Sequence, residues 1–113
     1  MIEAPKSLSA AINSRTPIKF SYPKPGKVEG ERIGNPHAVY LYTDKDGIVS
    51  TKIHIWQTEG VSDKWEPIEG WRNFDIEYVA WVDLTDDPGP FPVAEGYNPY
   101  YYDDPSHLAI VKI

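Results

Sequence analysis

The chain has 113 residues, the size of one domain and long enough to bury a core without a covalent staple. It has no cysteine, which excludes disulfides, thiolate metal sites and a cysteine nucleophile and points to a reducing compartment. Its net charge of −6 is uneven: residues 1–52 carry eight Lys/Arg against five Asp/Glu, and residues 53–113 carry three against twelve. A field of this sign repels polyanions as a whole, while the first half can still form a local basic patch.

Hydrophobic residues make up 41% of the chain, which argues against disorder. Eleven prolines, eight glycines and 13% aromatic residues suit short strands joined by many turns. The stretch Met1–Ser7 lacks the basic-then-apolar pattern of a signal peptide, and no apolar run approaches the roughly 20 residues needed to span a bilayer. The expectation is a soluble, cytoplasmic protein that does not engage a membrane.

In chain order, Ser7–Arg15 predicts the one helix. Ser7 is a suitable N-cap, and Leu8, Ala11 and Ile12 fall on one stripe. Thr16-Pro17 ends it, because a residue before proline is pushed out of helical space. Ile18–Tyr22 alternates as a half-buried strand, with Ile18, Phe20 and Tyr22 on one face. Pro23–Gly26 is a turn. Val28–Gly34 predicts a polar, edge-like strand broken by Asn35-Pro36, and Ala38–Thr43 a separate central strand.

Asp44-Lys-Asp-Gly47 predicts a hairpin turn into Ile48–Gln57, where Thr51, Ile53 and Ile55 share one face and Lys52, His54 and Trp56 the other. A loop spans Gly60–Glu69. A further strand begins at Gly70 and runs through Val79 to Leu84, placing Arg72, Phe74, Ile76 and Tyr78 on one face. Residues 85–113 form a proline- and tyrosine-rich acidic extension. It is read as a strap across Tyr97–Asp104 with Leu108–Ile113 adding a strand at a sheet edge, or as a disordered tail or a partner-binding surface. A helix and about five short antiparallel strands predict a small β-barrel over residues 7–84.

The order of these features resembles the WYL domain family. Ala11-Ile12 through Pro17-Ile-Lys-Phe-Ser-Tyr22 is similar to the family's opening, Glu31–Val39 to its Arg-before-Pro step, and Arg72-Asn-Phe-Asp-Ile-Glu-Tyr-Val79 to its R-x-F-x-(apolar) strand. The naming tripeptide appears as Ile53-His-Ile55, with Trp56 displaced, and Tyr78 stands where the family has a second arginine. The resemblance implies a small SH3/Sm-like barrel. It also implies a role as a sensor of nucleotides or single-stranded nucleic acid, of the kind found in bacterial transcription regulators and in CRISPR and phage-defence proteins.

Arg72 is the leading candidate site residue. A guanidinium at the end of an apolar row must reach water, a carboxylate or an anionic ligand, and its planar fork suits phosphate. Tyr22 either stacks a base at the barrel mouth or is a core tyrosine with a wet hydroxyl. Arg32 is a ligand contact or a solvated edge charge, and His54 a ligand contact or a surface histidine. No catalytic motif is visible, and the three histidines lack metal-ligand spacing, so the expectation is a non-enzymatic module without metal or cofactor. The ligand is expected to be a nucleotide or short single strand bound by Tyr22, Arg32, His54 and Arg72. The alternative is a protein–protein interaction module, phage- or defence-associated, that works through the acidic aromatic segment.

Overall fold

The computed structural model describes residues 4–62, 67–98 and 107–111, with side chains described from Leu8 in the first stretch and from Ile110 in the last. The helix α1 spans Ala4–Ser14, so Ser7 lies within it rather than capping it. Pro5 falls in the first turn, where a missing N–H costs no intrahelical bond. Its other end is a Schellman closure. Arg15 sits at φ 53°, its N–H donates to Ile12 O at 3.2 Å, and the Thr16 N–H donates to Ala11 O at 2.9 Å. Leu8, Ala11 and Ile12 are buried, as their stripe predicts.

The strands are β1 (Ile18–Ser21), β2 (Glu31–Thr43), β3 (Val49–Gly60), β4 (Gly70–Asp75), β5 (Trp81–Leu84) and β6 (His107–Ile110). All pair antiparallel in the order β4-β3-β2-β1-β5, with β6 on β2 beside β1. The described residues are thus mainly β, with one short α-helix. The sheet is not closed into a barrel, since among the described residues β4 and β5 end the path without pairing to each other.

Two sequence expectations fail for related reasons. The Asn35-Pro36 break is absent, and β2 runs through it as one central strand rather than an edge strand followed by a second strand. On one side β1 pairs with Glu31–Gly34 and β6 with Ala38–Tyr40, so Pro36 falls in the gap between two partners, where a missing N–H costs no ladder bond. The register against β3 shifts between Pro36 and Ala38, and this bulge leaves His37 as the extra residue. The strand expected from Gly70 to Leu84 is also interrupted. Ile76–Tyr78 forms a 3₁₀ turn that sends the chain from β4 across to β1, so Ile76 and Tyr78 do not continue the row of Arg72 and Phe74.

Where strands do form, alternation holds. Ile53 and Ile55 are buried, with His54 and Trp56 on the other face. Asp44 caps the hairpin turn: its Oδ1 accepts from the N–H groups of Asp46 at 2.8 Å and Ile48 at 2.9 Å, and Gly47 supplies φ 82°. The main core joins Leu8, Ala11 and Ile12 of α1 to Ile18, Phe20, Tyr22, Val39, Ile53, Ile55 and Phe74, with Phe91 and Val111 from the extension. No described helix is long and apolar enough to cross a membrane.

Candidate functional site

Three of the four sequence candidates line one cavity. Tyr22 follows β1, Arg32 lies on β2 and Arg72 on β4; with Lys27 and Phe74 they surround about 150 Å³. The register explains the convergence. Arg32 stands opposite Phe20 and Arg72 opposite Ile55, so both arginines point to the core face. Arg32 is 1% exposed, although the sequence placed it on an edge strand. The continuity of β2 is what buries it.

Such burial is tolerable only with acceptors nearby. Arg32 Nη1 donates to Gln57 Oε1 at 3.1 Å, and its guanidinium carbon lies 5.3 Å from the Phe74 ring centre. Gln57, itself fully buried, is oriented by donating Nε2 to Val61 O at 2.7 Å and Glu59 O at 3.3 Å. Arg72 donates Nη1 to Trp71 O at 3.1 Å and Nη2 to Ser62 Oγ at 3.0 Å, and Nη2 also meets Pro67 O. It therefore staples the loop before β4 onto the sheet. Carbonyl, amide and hydroxyl oxygens accept from these Nη groups.

Tyr22 is a wall of this cavity rather than an open stacking platform. It is 3% exposed, its ring meets Phe74 edge-on at 4.6 Å, and its hydroxyl accepts from the Asp75 N–H at 2.8 Å. Burial raises its pKa above the usual phenol value. Beside it, Asp75 receives Lys24 Nζ at 2.7 Å on one oxygen and Lys52 Nζ on the other. Burial alone would raise the Asp75 pKa, but the two ammonium partners outweigh it and the net shift is downward.

His54 belongs elsewhere. It faces the opposite side of the sheet, 4.5 Å from the Trp71 ring, and burial lowers its pKa. That face carries an aromatic cluster the sequence did not reveal, centred on the bulged His37. The His37 ring lies 4.9 Å from Trp71 and 5.0 Å from both Phe91 and Tyr97. Its Nδ1 donates to Asn35 O at 2.8 Å and its Nε2 accepts the Ala94 N–H at 3.1 Å, a pairing that requires neutral imidazole. Burial pushes its pKa down to about 4.

The extension is bound here by several further links. Trp71 Nε1 donates to Glu95 O at 3.0 Å, the Val111 N–H donates to His37 O at 2.8 Å, and Tyr97 OH donates to Val111 O. The tyrosine-rich stretch after Asn98 and the final two residues lie outside the described residues.

Gln57 was legible in principle, as the next member of the Ile53, Ile55 row. Lys27 and His37 were not, because a turn and a bulge place them. Comparison with protein-family models, with curated proteins and with solved structures finds no match to this chain.

Proposed function

We propose that this chain is a non-enzymatic, WYL-like sensing module that binds an anionic ligand, a nucleotide or the end of a short single strand, through its phosphate. The observation that carries this reading is the convergence of Tyr22, Arg32 and Arg72 with Lys27 on one cavity. A volume of about 150 Å³ is small beside the roughly 300–1,000 Å³ of sites that enclose whole small molecules. It suits a phosphate-sized head group, with sugar and base outside the rim. Lys27 is exposed and able to close on the anion. The five-strand path β4-β3-β2-β1-β5, strongly curled and headed by a helix, supports an SH3/Sm-type barrel open between β4 and β5. His54 takes no part in this reading.

The test is titration of a nucleoside monophosphate, the matching nucleoside and a 5′-phosphorylated oligonucleotide against wild type and Lys27→Ala. Lys27 is at the surface, so its variant folds. The phosphorylated ligands bind, the nucleoside does not, and Lys27→Ala weakens binding several-fold with a shallower salt dependence. Equal binding of nucleoside and nucleotide, or no effect of Lys27→Ala, overturns the proposal.

A further inference from the structure

The opposite face of β2 carries a second, larger depression of different character. Ile33 and Asn35 alternate with Arg32 and Gly34, so they point away from the cationic cavity into a groove of about 690 Å³. Its far wall is the start of the extension, including Asp86, Asp87 and Phe91, and Glu59 and Glu69 close its sides. All four carboxylates are exposed and, among the described residues, one lysine, Lys19, lies with them. Ile33, Phe91 and three prolines supply apolar ledges between the charges.

A cluster of carboxylates alone is a solvated surface. What distinguishes this one is Asn35. Its residue is only 9% exposed, its backbone is paired with Trp56 and its carbonyl accepts from His37, yet its side-chain amide has no hydrogen-bond partner among the described residues. That amide opens on the groove, and a carboxamide offers one acceptor and a donor pair, the complement of a peptide group.

We propose that this groove docks an extended peptide segment of a partner protein that carries lysine or arginine. Asn35 pairs with a backbone peptide group of the segment. Glu59, Glu69, Asp86 and Asp87 receive its cations, and the aliphatic stems lie along Ile33 and Phe91. The site is independent of the anion cavity, and a partner drawn by opposite charge gains association rate as well as affinity.

The experiment measures fluorescence anisotropy of a labelled alternating Gly-Lys octapeptide, with a Gly-Glu peptide as control, on the full chain. The basic peptide binds and the acidic one does not. Asp86→Asn/Asp87→Asn weakens binding about tenfold, whereas Asp46→Asn/Glu77→Gln, which removes the same charge elsewhere on the surface, changes it less than about twofold. Asn35→Ala, neutral in charge, weakens it about fivefold with an unchanged melting temperature, and Asn35→Ser does the same if the alanine variant unfolds. Equal losses in the two charge-removal variants would reduce the effect to bulk acidity and overturn the proposal. So would full binding by both Asn35 variants, or no binding by wild type.

Discussion

Phe20 on β1 and Phe74 on β4 are separated by two strands in the sheet order, yet their rings meet edge-on at 5.1 Å. The sheet is therefore curled until its first and fourth strands face each other across a core filled by side chains. Tyr22 extends the contact, touching Phe74 and accepting the Asp75 N–H. Between these strands, aromatic packing takes the place of ladder hydrogen bonds.

Phe74 is the shared element of that closure, since it contacts Phe20, Tyr22 and the Arg32 guanidinium. Phe74→Ala should destabilise the fold by about 3–5 kcal/mol, read as a shift in the urea midpoint. A loss below about 1 kcal/mol would show that the curl does not depend on it.

The buried Arg32–Gln57 pair separates stability from binding. Gln57→Leu alone removes a buried acceptor from Arg32 and should cost about 3 kcal/mol. Adding Arg32→Met should recover most of that loss, because an apolar pair of similar volume avoids the desolvation of a charge. The double variant should fold and lose phosphate binding. Denaturation and ligand titration on the same samples check both halves.

His37 should make stability fall on acidification. Its folded pKa of about 4 lies below the ordinary 6.5, so between these values the unfolded chain binds a proton that the folded one does not. Stability is complete above pH 6.5 and declines towards pH 4, by up to about 2–3 kcal/mol. His54 adds a change of the same sign. Because Nε2 receives the Ala94 N–H, protonation should also loosen the extension. Tryptophan fluorescence, with Trp71 in the cluster, reports this, and His37→Gln should flatten the pH slope.

Asp75 acts in a lower window. Its folded pKa is depressed, so its contribution is present above the unfolded value of 3.8 and lost as pH falls through the folded one. Asp75→Asn should cost about 1–2 kcal/mol at pH 7 and little once the wild-type carboxylate is protonated. Urea midpoints for both proteins across that range measure the difference. A deficit that persists unchanged in acid would mean that the two lysines contribute nothing.

Period-two alternation by itself puts Ile53 with Ile55, and Arg72 with Phe74, on one face of their strands, and Asp44–Gly47 announces its hairpin. Both signals are local: a pleat assigns faces, and a turn needs only its own residues to supply φ 82° and an Asx acceptor. The helix stripe of Leu8, Ala11 and Ile12 was legible for the same reason. What lay beyond one chain's local preferences was partner geometry. Pro36 sits inside a strand only because β1 stops and β6 begins on either side of it, and a turn at Ile76 only because the chain must cross to β1. The same long-range pairing gathered Arg32, Arg72 and Tyr22 at one cavity and sent His54 to the opposite face, where the bulge at His37 built a cluster with Trp71 and Tyr97. Side-chain facing follows from the pleat. Which faces meet follows from the curl of the whole sheet, and that depends on contacts separated by more than fifty residues, such as Phe20 with Phe74.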